Sequence, residues 1–405
     1  MSRSFSGRKR NSGTLGNVLL YASEAVLLID SGRITLDEAL DHAPADFRRT
    51  LEHLMVNIYR FRKSIRKSWQ KFCRKKSSPE IAALLDTALT QCRFQTSVEP
   101  YSVVNVAVTL AKKHHADKFV NAVLRAVLEE KFSLPERADD ILPDEVLSRW
   151  RKFFSPEEVE KFAGLFLTPA PFTFRLCDDS PLPDGACAVE AFPPFVFGTT
   201  PAPGKLLASP EFADGSYYIQ DPAASLAVAL AAPHVSGCRT LLDLCCAPGG
   251  KTLMAAELLG PAVEITAADI SARRQKLTAE NFARHRKKGR ITTAAPEDIS
   301  GVFDWVIADL PCSKPGVFRR RPDALWRFSE KSLSEVMALQ KSILRRAAEL
   351  TAPGGWLLCS SCSIEADENE AFAGELSGFT LIAGKTLLPD QTHDGAFAAL
   401  WQKVH

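Results

Sequence analysis

Hydrophobic positions recur every three to four residues through most of the first 130 positions, a spacing that predicts helices. Leu15, Val18, Leu19, Ala22, Val26 and Ile29 form one such stripe, with Gly32 as its stop. Thr35 and Glu38 have the spacing of a capping box and open a short helix. Further helices are predicted over 46–72, from Pro79 with Ser78 ahead of it, over 103–113 and over 117–128. These make an all-α bundle over 14–132, preceded by a flexible basic tail at 1–13. Residues 133–165 read as a connector with a small helix, opened by Ser155, Pro156 and Glu158. The Pro- and Phe-rich stretch 166–215, with extended pieces at 172–176 and 189–197, reads as a small α+β segment. In 216–405 the texture changes to alternation. Strands are predicted at 240–244, 263–268, 290–294, 303–308 and 356–360, with helices at 251–259, 271–286 and 333–350. That order predicts a mostly parallel sheet covered on both faces, with ligands at the carboxyl ends of its strands.

The 405 residues are 46% hydrophobic and 24% charged, a soluble globular composition that excludes a mostly disordered or fibrous chain. No apolar run reaches the roughly 18 residues of a membrane span. The Ser- and Arg-rich start lacks the apolar core of a secretory signal, so a cytoplasmic protein without a membrane partner is expected. Ten cysteines follow no regular framework and are expected as reduced thiols. The net charge of +2 conceals an asymmetry: residues 1–80 hold 16 Lys and Arg against 8 Asp and Glu, which points to a polyanion partner. Nine basic residues and no acid lie between Arg60 and Lys76, around a core stripe of Ile58, Phe61, Ile65, Trp69 and Phe72. Arg60, Arg62, Lys63, Arg66, Lys67 and Lys71 are therefore candidate phosphate contacts, with Arg319, Arg320 and Arg321 as a second group.

Candidate chemistry sits at the predicted strand ends. After the strand ending at Leu244 runs Cys245-Cys246-Ala247-Pro248-Gly249-Gly250-Lys251-Thr252, then a helix. Glycines there let backbone approach a ligand, and the helix start offers free N–H groups. A phosphate-binding P-loop would need glycine at 245, where Cys stands. Asp269, Asp298 and Asp309 follow the next three strands, an ordered set of acids that suits a nucleoside cofactor better than a triphosphate. Cys312 and Cys362 follow the fourth and fifth strands, which brings two thiols to one sheet edge if those strands are neighbours. A metal site and inert buried cysteines are the other readings. No Cys/His group has zinc-ligand spacing, so no metal is expected.

These residues resemble the NOL1/NOP2/Sun (Fmu) family of RNA cytosine-C5 methyltransferases. The resemblance lies in the loop 243–252, in Asp309-Leu-Pro-Cys-Ser313 with Arg320-Arg-Pro-Asp323 and Trp326, and in Ser361-Cys-Ser-Ile364 with Glu368-Asn-Glu370. Gln220-Asp221 and Asp394-Gly-Ala-Phe397 also match. Residues 117–125 resemble a NusB-like RNA-binding domain, a combination characteristic of bacterial small-subunit (16S) rRNA methyltransferases. The resemblance implies a Rossmann-like class I methyltransferase domain that uses S-adenosyl-L-methionine. It implies that Cys245, Cys246, Ala247, Pro248, Gly249, Gly250, Lys251, Asp269, Asp298 and Asp309 hold the cofactor. Cys362 would be the nucleophile, Cys312 the residue that assists product release, and Asp309 the contact to the cytosine. The partner would be single-stranded or unfolded RNA, bound by a monomer. A transfer-RNA substrate and a non-catalytic RNA-binding assembly factor are the alternatives. The sequence departs from the family at Cys246, Cys359 and Lys314-Pro315, the last implying a stiffer substrate loop.

Overall fold

Capping residues set the helix starts of the N-terminal part. In the computed structural model, which describes residues 14–130, 132–177, 180–285, 290–373 and 376–404, Thr35 and Glu38 close a reciprocal capping box on the helix Leu36–Asp41. Ser78 accepts from the backbone N–H of Ile81, with Pro79 in the first turn. The tail at 1–13 lies outside the described residues. The chain divides into a helical unit, residues 1–167 with 321–327, and a second unit, residues 168–320 with 328–405.

The helical unit holds Thr14–Asp30, Leu36–Asp41, Arg48–Arg60, Arg62–Gln70, Pro79–Phe94, Pro100–Ala111 and Asp117–Glu129. The single helix expected over 46–72 is two helices, broken where Phe61 leaves helical geometry (φ −105°, ψ 14°) and stacks its ring on Phe94 at 4.3 Å. The apolar spacing continues across the break, so periodicity does not register it. Residues 133–165 are not a connector. They form Ala138–Ile141, Asp144–Phe153 and most of Pro156–Phe166, and belong to the helical unit. Trp150, Phe154 and Phe162 meet edge to face there. The helix Pro322–Arg327 completes the unit: Trp326 Nε1 donates to the Tyr59 carbonyl at 2.7 Å, and Asp323 accepts the Leu36 N–H at 3.2 Å.

The second unit begins with an antiparallel sheet of β1 (Thr173–Leu176), β2 (Cys187–Val189), β3 (Phe197–Thr199) and β4 (Tyr217–Ile219), in the order β2-β3-β1-β4. A larger sheet follows: β5 (Thr240–Asp243), β6 (Glu264–Ala268), β7 (Arg290–Ala294), β8 (Phe303–Asp309), β9 (Thr351–Ser361), β10 (Phe379–Leu387) and β11 (Ala396–Lys403). Its order is β10-β11-β9-β8-β5-β6-β7, parallel from β9 to β7, with β11 and β10 added antiparallel. The β10–β11 hairpin is absent from the sequence reading. β10 is mostly exposed and the Ala-rich start of β11 carries little strand preference. Leu241, Ile265, Trp305, Ile307 and Leu358 face one core, and Leu242, Ala268, Val306, Ala308 and Leu357 the other. Burial on both faces is what strands covered by helices on either side require. The chain runs β5-β6-β7 in one direction and then crosses to β8 and β9. A switch point therefore opens between the carboxyl ends of β5 and β8.

Candidate active site

The loop after β5 lies at this switch point. Gly249 takes φ +101°, and a Cβ there would come within 2.6 Å of the Phe282 ring, so glycine is required twice over. The helix Gly250–Leu259 starts immediately after it. An open cleft with about 540 Å³ of empty space is lined by Cys245, Cys246, Ala247, Pro248, Gly250, Lys251 and Asp309, together with Asp243 and Gln220. Asp269 is not in this lining. It is buried, its carboxylate accepting the Ala247 N–H at 3.2 Å and the Ser271 N–H at 2.9 Å, so it ties the loop to the start of the next helix. Asp298 is exposed after β7, and Gly249 shapes the loop from behind.

Asp243 is completely buried. One oxygen accepts the Thr252 hydroxyl at 2.7 Å. The other, Oδ1, is buried with no hydrogen-bond partner among the described residues. Burial pushes the Asp243 carboxyl up to about 7; the Thr252 hydrogen bond opposes this and the Asp309 charge adds to it. Lys251 donates to Asp309 at 2.7 Å, and Ser360 Oγ donates to the other Asp309 oxygen at 2.7 Å. Burial would lower the Lys251 ammonium, but the Asp309 charge and hydrogen bond outweigh it and hold the group above its ordinary range. Burial drives the Cys245 thiol up to about 12, which makes it an inert lining group.

Strands β8 and β9 are parallel neighbours with Asp309 opposite Ser360, so Cys312 and Cys362 emerge at the same edge. Their sulfurs are 3.0 Å apart. The hydrogen bond to Cys362, burial, and the negative charges of Cys362 and Glu368 push the Cys312 thiol well above its usual range. The loops interlock through backbone: the Gly316 N–H donates to the Cys362 carbonyl at 3.0 Å, and the Gly395 N–H to the Gly316 carbonyl at 2.9 Å. Lys314 takes a left-handed φ of +69°, the conformation that glycine adopts without strain.

The basic candidates fare differently from expectation. Arg60 and Arg62 are buried; Arg60 donates to the Phe166 carbonyl, and Arg62 pairs bidentately with Asp30 and lies against Tyr59 and Trp326. They are corrected to structural residues of the helical unit. Lys63 pairs with Asp144, Arg66 with Asp86 and Asp30, Lys67 with Asp140 and Lys71 with Glu130. Acids distant in sequence thus balance a stretch with no acid of its own. Arg319 donates to the carbonyls of Thr168, Pro169, Asp390 and Gln391. Arg320 bridges Asp221 and Asp394 at 2.6 Å each, and Arg321 pairs with Asp37. Sequence reasoning missed Gln340, which is fully buried and donates to the Pro311 carbonyl at 2.7 Å. Its signal was a polar residue in the apolar stripe Leu333, Leu344 and Ala347.

A family model described as 16S rRNA methyltransferase RsmB/F matches residues 230–376, and a NusB-family model matches 26–129. The probable ribosomal RNA small subunit methyltransferase B of Synechocystis is 28% identical over 73% of this chain and 72% of its own length. Ribosomal RNA small subunit methyltransferase B of Pasteurella multocida is 30% identical over 66% of this chain and 64% of its own length. Among solved structures, PH0851 covers 95% of this chain and 98% of itself (TM-score 0.73, 24% identity). NSun6 from Pyrococcus horikoshii covers 65% and 98% (TM-score 0.55, 18% identity).

Proposed function

We propose that this chain, which belongs with the RsmB/F methyltransferases and carries a NusB-family domain ahead of its catalytic sheet, methylates C5 of a cytosine in small-subunit rRNA through a covalent bond between Cys362 and C6 of the base. The observation that carries the reading is the thiol pair, 3.0 Å apart at the ends of two adjacent parallel strands, beside a cleft at the sheet's switch point.

The cleft fits S-adenosyl-L-methionine. Asp243 Oδ1 is a buried acceptor in need of a cationic donor, which the cofactor's ammonium would be. The backbone at 245–250 would hold the cofactor close to the loop. Asp269, bonded to the Ala247 N–H, and exposed Asp298 lie outside the lining of the cleft and are the proposed ribose and adenine contacts. When bound, S-adenosyl-L-methionine supplies a methyl group carried on a cationic sulfur.

The protein's own residues manage the cytosine. Cys362 as thiolate adds to C6, which makes C5 electron-rich. Asp309, fixed by Lys251 and Ser360, meets the cytosine edge. Loss of the C5 proton to solvent and departure of Cys362 as a thiolate restore the ring, and Cys312, held as a thiol 3.0 Å away, assists by hydrogen-bonding the departing sulfur. The base must leave its stack to reach the thiols, which favours single-stranded or unfolded RNA.

The RNA-facing surface is reassigned from the paired helix to one end of the bundle. Arg74, Lys75 and Lys76 are exposed, with no ion pair among the described residues, and precede the helix Pro79–Phe94. Its neighbour, Pro100–Ala111, ends at exposed Lys112 and Lys113; hydrogen bonds from its own backbone N–H and from Ser78 hold the Glu80 carboxyl below its ordinary range, with smaller contributions from His114 and Lys113. The test is transfer of labelled methyl to unmodified rRNA and tRNA separately, with the product base mapped. Cys362→Ser is expected to abolish turnover, and Cys312→Ala to accumulate a covalent protein–RNA adduct. Normal cytosine methylation by Cys362→Ser would overturn the assignment.

A further inference from the structure

Two consecutive residues of the helix Ala366–Ala373 reach different cysteine loops. Glu368 is fully buried. Its Oε1 accepts the Ser313 N–H at 2.9 Å and Gln340 Nε2 at 3.0 Å, and its Oε2 accepts the Ser313 hydroxyl at 2.5 Å. Gln340 also donates to the Pro311 carbonyl, so both neighbours of Cys312 are held. Asn369, also buried, accepts the Ser361 hydroxyl at 3.1 Å and donates to the Ser363 carbonyl at 3.1 Å, so both neighbours of Cys362 are held.

A buried carboxylate is costly unless donors satisfy it. For Glu368 the donors are the Cys312 loop itself and the glutamine that braces it, so the buried side chain and the shape of that loop hold each other in place. Neighbouring residues on a helix point about 100° apart, which is how one turn grips two loops. The spacing between the sulfurs is therefore set from this helix rather than by the strands alone, which end before either cysteine.

We propose that Glu368 and Asn369 are positioning residues that hold the two thiols in register, Glu368 governing the release step through the Cys312 loop and Asn369 the addition step through the Cys362 loop. The inference rests on the covalent reading above and assigns each step its own support. Neither residue lines the cofactor cleft.

The test follows adduct formation and decay with rRNA in the full-length enzyme by denaturing gel. Asn369→Ala is expected to slow adduct formation about 100-fold, the scale of a misplaced reacting group. Glu368→Ala is expected to leave formation within about twofold and to slow adduct decay about 100-fold, resembling Cys312→Ala. Ser361→Ala and Ser313→Ala, which remove one hydroxyl each, should show the same split more weakly and serve if the larger changes fail to fold. Affinity for S-adenosyl-L-methionine should stay unchanged throughout. Loss of the same step in both variants, or of neither, overturns the division of labour. Absence of an adduct in Cys312→Ala itself overturns the covalent reading, and this inference with it.

Discussion

Asp243 sits at the end of β5 with no exposure to solvent, and burial lifts its carboxyl to about 7. Its folded value lies above the unfolded one. Ionising it therefore costs stability as pH rises from about 4 to about 7, and the free protein is relatively more stable at the acid end of that window. Cofactor binding follows the opposite sign, since a cationic group at Oδ1 needs the carboxylate. Affinity for S-adenosyl-L-methionine should weaken as pH falls from about 8 to about 6, by up to about tenfold per unit. Calorimetric titration across this range checks it, with Asp243→Asn expected to bind weakly and without the pH dependence. A flat profile for the unmodified protein would remove Asp243 from cofactor recognition. Asp394, lifted to about 6 by burial and then by the Asp221 charge, loses stability over the lower part of the same window.

Among the elements, the loops after β8 and β9 and the turn before β11 behave as one body. A Cβ at Gly316 would lie 2.6 Å from the Cys362 carbonyl and 2.7 Å from the Gly395 carbonyl, both backbone atoms that cannot swing aside. Gly316→Ala should displace the Cys362 loop and lower kcat about 100-fold while cofactor affinity holds. A kcat within about threefold of the parent would show that the loops are not so coupled. The helical unit offers a different element-scale test. Arg62 is buried against Asp30, Tyr59 and Trp326. Arg62→Ala removes a buried guanidinium and its bidentate bond to Asp30, which keeps Tyr59 and Arg66 as partners, and should cost about 1.5–3 kcal/mol, read as a drop in Tm. An unchanged Tm would restore Arg62 as a candidate surface contact.

At the scale of the whole molecule the question is where the positive charge is free. The basic residues from Arg60 to Lys71 spend their charge on acids and carbonyls of their own unit, while Arg74, Lys75, Lys76, Lys112 and Lys113 remain exposed. Charge reversal at Lys75 and Lys113 should flatten the dependence of log affinity on log salt by about 0.7–0.9 per lost phosphate contact, with little change in Tm. Charge removal at Lys67 should do less, because that charge is already balanced by Asp140. The reverse ranking would return the RNA surface to the basic helix. No helix among the described residues is long and apolar enough to cross a membrane.

What the sequence determined by itself was whatever depends on neighbours along the chain. The capping boxes at Thr35 and Ser155, the parallel strands at 240–309, the glycine loop and the thiols after β8 and β9 all follow from local spacing. The resemblance carried the roles of those thiols further than spacing could. Tertiary structure decided whatever depends on partners distant in sequence. It paired the basic stretch with Asp30, Asp86, Asp140 and Asp144 and drew 133–167 and 321–327 into the helical unit. It tied Asp269 to the backbone at Ala247 and made Glu368 and Asn369 the supports of two different loops. The physical reason is common to all of these. Charge balance, burial and hydrogen bonding are summed over neighbours in space, and the spatial neighbours of Arg62, Asp269 or Glu368 lie tens to hundreds of positions away along the chain.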